Sequence, residues 1–210
     1  MFTPTEIGSA ASREHVVSLR EKLKRETTAL HHGLETQLGL LERPLSLARY
    51  RRVLEAFYGF YAPIEIALSR LAAADTPAGF SLRARAGLIE RDLVALGLSR
   101  RELTELPWCA ELPTLSRREH LAGCLYVLEG ACLGGQVIAK ALKRRLEIAK
   151  GTGASFFVGD GDATAARWLQ VLDWLEDLER GGARTEQIVA SACATFLTLA
   201  RWLEQRGVSS

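Results

Sequence analysis

Two adjacent histidines stand in the first apolar segment of the chain, within TTALHHGLE at residues 27–35. On a helix their side chains point about 100° apart, so His31 lies at the edge of the apolar stripe while His32 turns toward solvent. A neutral imidazole is a good axial ligand for haem iron, and Glu35, one turn later, can hold its second nitrogen. The alternative is a histidine that only packs against the core. No further His or Cys follows at metal-ligand spacing, so a protein-only zinc site is not predicted.

A second unusual segment is YVLEGACLGGQVIAKAL, residues 126–142, which places Gly130, Gly134 and Gly135 inside a strongly helical pattern. Each glycine costs roughly 1 kcal/mol relative to alanine in a helix interior. We therefore expect a packing or functional reason for the absence of side chains at these positions. Gly130 and Gly134 are four residues apart and share one face, which allows the backbone to approach another helix or a flat ligand closely. Both interpretations are open from the spacing alone.

Apolar residues recur at intervals of three and four, and no sustained alternation indicates a strand. We therefore predict an all-α fold, with one compact multi-helical domain over residues 16–206 after a flexible tail, 1–15. Ser116 and Glu119 have the spacing of a capping box that would begin a helix, Pro63 should kink or interrupt another, and the glycine-rich stretch 151–161 is predicted to be a connecting loop. The predicted helices are about 12–41, 46–74, 80–96, 116–149, 163–178 and 185–205.

The composition is that of an ordinary globular protein, with 48% hydrophobic and 25% charged residues and a net charge of +2. This balance favours neither nucleic acid nor membrane as a partner. No apolar run approaches the roughly 20 residues that span a bilayer, and the first residues do not form a secretory signal. The four cysteines include no CxxC pair, so we expect no disulfide and a cytoplasmic location.

The segments LKRETTALHHGLE, residues 23–35, and EGACLGGQVI, residues 129–138, resemble the proximal and distal helices of haem oxygenases. The likeness is closest to bacterial, biliverdin-producing members, which also tend to carry an aromatic stretch like FYGFYAPIE at residues 57–65. It covers most of the chain. The resemblance implies a compact helical fold in which haem lies between the first helix and the glycine-bearing helix.

The proximal pattern of the family is a threonine, three residues, the iron-binding histidine and an acidic residue four later. By this resemblance His31 is the iron ligand, and Thr27 and Glu35 complete the pattern around the haem. Lys24 falls where the family often places a basic residue toward a haem propionate. Arg167 is a weaker candidate for the same task, because exposed arginines are common.

In the distal helix, the resemblance gives Gly130, Gly134 and Gly135 the role of letting the backbone lie over the macrocycle at the oxygen site. One residue departs from the pattern. Many family members have an aspartate directly after the first of these glycines, where it orders water for proton delivery, and this chain has Ala131. The bacterial branch with the EGxxLGG form also lacks that aspartate and can use water held by backbone groups.

The resemblance implies that haem is both substrate and cofactor, and that O2 and external electrons open it to biliverdin with release of CO and iron. The chain has no flavin or nicotinamide fingerprint, so a ferredoxin or reductase would be the redox partner. The biliverdin could serve a phytochrome, or the purpose could be iron recovery. Three alternatives stay open: a haem carrier or sensor without turnover, a thiaminase-like enzyme using Cys132, and a purely structural helical module.

Overall fold

The computed structural model describes residues 17–42, 44–75 and 81–209. Over these residues the chain forms eight α-helices and no strand, which confirms the predicted all-α class. The predicted tail, 1–15, lies outside the described residues. The helices are α1 (Leu19–Leu38), α2 (Leu47–Asp75), α3 (Arg85–Ala95), α4 (Arg100–Glu105), α5 (Arg118–Leu146), α6 (Ser155–Val158), α7 (Ala163–Arg180) and α8 (Thr185–Gln205).

Helix α1 is bounded by two local signals. Ser18 caps its first turn and forms a capping box with Glu21, each satisfying a backbone N–H of the other. At the other end Gly39 adopts the left-handed conformation, with φ of 58°, and its N–H bonds to the carbonyl of Glu35. The predicted helix 12–41 therefore ended too late, and the exposed Leu41 is not part of the buried stripe.

The predicted capping box at the start of α5 is wrong. Arg117 is the N-cap residue and makes no side-chain capping bond. Because the helix begins one residue later than the motif requires, Glu119 lies at its second position rather than its third, where it is buried. Ser116 instead directs its N–H and hydroxyl toward Nδ1 of His120, 3.3 Å away.

Three other segments with strong local sequence signals differ from their predicted structure. Helix α2 continues through Pro63 without interruption. Helix α4, which was not predicted, begins with a capping box between Ser99 and Glu102. The glycine-rich stretch predicted as a connector contains the short helix α6.

Helix α5 is the centre of the bundle and packs against α2, α6, α7 and most extensively α8, while α1 packs against α7 and α8. The contact with α8 depends on Gly123. A Cβ atom on this residue would lie 2.3 Å from the carbonyl oxygen of Ile188 and 2.7 Å from the nitrogen of Ala192. The two backbones can approach this closely only because the side chain is absent.

Helix α5 is also long and apolar enough to cross a membrane by length and composition, contrary to the expectation that no segment is. Half of that apolar stretch is buried inside the protein. Core helices of soluble proteins have the same properties, so this is weak evidence for a membrane span. The four cysteines are free.

Gly123→Ala should lower the free energy of unfolding by about 1–3 kcal/mol, because the new methyl group forces the α5 and α8 backbones apart. Urea unfolding followed by circular dichroism measures the change. Gly33→Ala is the matched control, since Gly33 lies in the middle of α1 and a Cβ atom added there would have nothing within 4 Å. That control should gain up to about 1 kcal/mol. Equal effects of the two substitutions would contradict the packing argument.

Candidate functional site

A cavity near the two predicted motifs, here called the main cavity, lies between α1 and α5 and has a volume of about 370 Å³. This is within the range of small-molecule sites. Helix α1 contributes His31, and α5 contributes Ala131 and Gly134. The lining is mainly apolar, and aromatic residues from α2, α6 and α8 close it: Phe57, Phe156, Phe157 and Phe196.

A more open groove of about 320 Å³ adjoins the main cavity, and we call it the Lys24 groove. The two share lining residues that include His31 and Ala131. Lys24 is exposed on the groove, whereas Thr27 is buried beneath it and its hydroxyl donates to the Leu23 carbonyl at 2.7 Å. His31 therefore lies at the boundary between the apolar main cavity and the Lys24 groove, which has a cation at its edge.

The His31 imidazole has one nitrogen next to a carboxylate. Its Nδ1 lies 3.5 Å from Oε2 of Glu35, and the ring packs edge-on against Phe196. Oε2 of Glu35 also lies 3.2 Å from Nδ1 of His32. The His31 side chain is 46% exposed and that of His32 71%. With its Nδ1 facing Glu35, His31 has Nε2 left for a ligand.

The three glycines of the distal motif have different surroundings. A Cβ on Gly135 would lie 2.8 Å from the Phe157 carbonyl oxygen, and one on Gly130 would lie 3.3 Å from the Trp168 ring. A Cβ on Gly134 would have nothing within 4 Å, and this glycine lines the main cavity. Gly135 therefore has a packing role, because a backbone atom lies close against its Cβ position, although it also lines the main cavity. Gly130 packs against Trp168 and lines the Lys24 groove, whereas the Cβ position of Gly134 opens into free space.

Arg167 lies inside the protein rather than on either cavity. Its Nε and Nη2 donate to the two carboxylate oxygens of Glu129 at 2.9 and 2.7 Å, and Nη2 also donates to the Ser81 carbonyl. Glu129 accepts a third bond, at 3.2 Å, from Arg85. All three charged side chains are 5–7% exposed. Arg167 thus belongs to a buried ionic cluster that joins α5 to α3 and α7.

Two polar residues of the main cavity were not singled out from the sequence as lining residues. Arg85 reaches the cavity from the first turn of α3, and Tyr61 reaches it from α2. Burial raises the pKa of Tyr61 above its ordinary value, so the phenol keeps its proton. The aromatic stretch of α2 was the available signal for Tyr61. No local sequence pattern indicates that Arg85 points inward, because its direction depends on the distant partner Glu129.

Cys132 also lines the main cavity, but it is not an activated nucleophile. Burial raises its pKa to about 12, and Sγ donates to the Leu128 carbonyl at 3.2 Å. A nucleophilic cysteine needs a lowered pKa and an adjacent base. The environment of Cys132 therefore argues against thiaminase-like chemistry.

Helix α6 is fixed to its neighbours by its backbone. The N–H groups of Ser155 and Phe156 donate to the two carboxylate oxygens of Asp92 at 2.8 and 2.7 Å. At the other end Gln136 donates to the Val158 carbonyl at 2.7 Å. These bonds hold the adjacent Phe156 and Phe157 against the main cavity. The loop prediction overlooked these two phenylalanines, although two adjacent large apolar residues in a glycine-rich stretch indicate a buried segment.

Glu65, on α2, has a carboxyl group whose pKa is shifted from its ordinary value. Desolvation raises its pKa from 4.5 to about 7, although the backbone N–H groups of Ala86 and Arg85 donate to it and oppose the shift. Between these two pH values the folded protein retains a proton that the unfolded chain has released. This group therefore makes the folded state less stable as the pH rises through that interval.

Glu65→Gln should remove this dependence. The difference in unfolding free energy, wild type minus variant, should fall as the pH rises from 4.5 to about 7 and stay level above. Urea unfolding of both proteins at pH values on either side of this interval measures it. Two curves that run parallel over the whole range would contradict the assignment.

The chain is similar to known proteins in both sequence and fold. Its sequence matches the profile of the Heme oxygenase family over residues 17–205. Among solved structures, one similar chain is a haem oxygenase from Leptospira interrogans, with a TM-score of 0.73 and 22% identity over 90% of this chain and 99% of that one. At this identity the likeness shows a shared fold. A search of curated proteins gives no significant match. Since the profile spans nearly the whole sequence, the chain belongs to the haem oxygenase family.

Proposed function

We propose that this protein oxidises haem to biliverdin, with His31 as the axial ligand of the iron. Membership of the haem oxygenase family supports a haem-degrading activity. The observation that carries the assignment to this site is the position of His31 on an aromatic-lined cavity that Gly134 of α5 also lines. No other histidine among the described residues lines that cavity.

The residues present fit a haem group. Haem is flat and mostly apolar with two carboxylates at one edge, and the main cavity offers an apolar space next to a groove that carries Lys24. Gly134 leaves room above that space. We infer that His31 holds the iron and Lys24 a propionate. Arg167 is already bonded to both oxygens of Glu129, so Lys24 is the better propionate partner of the two.

When bound, haem supplies the iron at which oxygen is reduced, and an external ferredoxin or reductase supplies the electrons. Glu35 faces Nδ1 of His31 and can hold the proton on that nitrogen, which directs the Nε2 lone pair to a metal. Ala131 cannot order water as a distal aspartate would. Arg85 and Tyr61 line the main cavity and carry protons, so we infer that their donors orient water there instead. The single thiol proton of Cys132 is already donated to the Leu128 carbonyl.

A haem carrier or sensor is the second candidate, and Ala131 is the observation that favours it. Such a protein would bind haem through the same residues without opening the ring. A cytoplasmic location belongs to the proposal, as does the use of biliverdin by a phytochrome or the recovery of iron.

His31→Ala tests the proposal by an absorption titration with hemin followed by addition of a reductant in air. The wild type should form a one-to-one complex and then develop a biliverdin spectrum. The variant should bind hemin roughly tenfold or more weakly, because the axial bond is lost. A stable wild-type complex that never converts would identify a carrier or sensor. Equal binding by the two proteins would refute the role of His31.

Gly134→Leu tests the cavity separately from the iron ligand. The added side chain should enter the main cavity, which Gly134 lines, and weaken hemin binding by roughly tenfold. Its Cβ atom would meet no neighbouring atom within 4 Å. Gly33→Leu is the control, since Gly33 is an equally open helical glycine that lines neither cavity. Unchanged hemin affinity in Gly134→Leu would place the haem elsewhere.

A further inference from the structure

We propose that His31, His32 and Glu35 form a second metal site, which binds one divalent first-row transition-metal ion in the haem-free protein. The three residues span little more than one helical turn near the end of α1. Each offers one ligand atom, and these atoms all lie within 4.8 Å of one another. All three side chains are exposed, so an ion and its remaining water ligands can reach them.

The distances suit an ion without a change in the backbone. An ion roughly 2.1 Å from two ligand atoms at tetrahedral angles holds those atoms about 3.4 Å apart. Oε2 of Glu35 already lies 3.5 Å from Nδ1 of His31 and 3.2 Å from Nδ1 of His32. Only the two imidazoles must come closer to each other, which side-chain rotation in an exposed pair allows.

The donor set indicates which ions the site would prefer. Imidazole suits zinc, copper, nickel and iron, and two histidines with one carboxylate are the ligand set that protein sites use for non-haem Fe(II) while leaving other positions open. Calcium and magnesium prefer oxygen ligands throughout. The site therefore selects a transition metal over the abundant alkaline-earth ions.

Haem and this ion should exclude each other at His31. A neutral imidazole has one lone pair, and when Nε2 binds iron the proton stays on Nδ1. An ion between His31, His32 and Glu35 needs the lone pair on Nδ1. The two ligands thus compete for the same imidazole although they approach different nitrogens.

The proposed reaction would supply an occupant. It releases iron next to His31, and a ferrous ion leaving the opened ring would exchange its bonds to ring nitrogens for bonds to two imidazoles, a carboxylate and water, with no change of oxidation state. Iron held there would keep His31 from the next haem until it departs. This identification of the ion rests on the proposed function, whereas the site itself does not.

The test is an oxygen-free titration of the full-length, haem-free protein with CoCl2, followed by the visible cobalt spectrum and by calorimetry. We expect one ion per chain, with affinity reduced roughly tenfold or more in His32→Ala and in Glu35→Gln. His120→Ala is the matched control, because His120 lies on α5 away from the site, and it should bind cobalt as the wild type does. Affinity that survives both site substitutions would overturn the proposal.

A second arm adds hemin to the cobalt-loaded protein. One cobalt ion should be released for each hemin bound, and simultaneous binding of both would overturn the exclusion. If hemin fails to bind even the metal-free wild type, the proposed function fails while the cobalt titration still decides the metal site.

Discussion

Helix α5 has to meet two opposing demands along one length of chain. It must pack against four other helices at the centre of the bundle, yet leave an empty space beside α1. Glycine serves both demands at different positions. At Gly123 and Gly135 the missing side chain admits a neighbouring backbone, whereas at Gly134 it leaves the cavity open. A helix with ordinary side chains at these positions could not keep both contacts and cavity.

The orientation of α5 is also fixed by charge. Glu129 is surrounded by two arginines from different helices, and its two carboxylate oxygens accept three hydrogen bonds from them. Taking these ions out of water is costly, and removing one partner would leave a buried charge uncompensated. The cluster therefore supplies directionality that apolar packing lacks, because α3 and α7 must present their arginines to one residue of α5.

The all-α class and the long helices could be predicted, because they depend on local periodicity. That His31 and the glycine-bearing helix line one cavity followed from the resemblance of two short motifs to haem oxygenases, not from periodicity. Helix α7 and helix α8 agree with their predicted positions closely. The rest depends on contacts between distant parts of the chain. Arg167 has the appearance of a surface cation in sequence, and only the fold brings Glu129 to it. Likewise, the helical turn at α6 is held by Asp92, 63 residues earlier.

The attachment of α6 separates the shape of the cavity from the stability of the bundle. Asp92 and Gln136 bond to main-chain atoms of the segment, so these anchors do not depend on which side chains it carries. A residue such as Phe156, half-buried at the cavity wall, can therefore change size during evolution while the segment stays in place. One short turn thus forms an adjustable part of the cavity wall, whose side chains can change without a change in the helices that hold it.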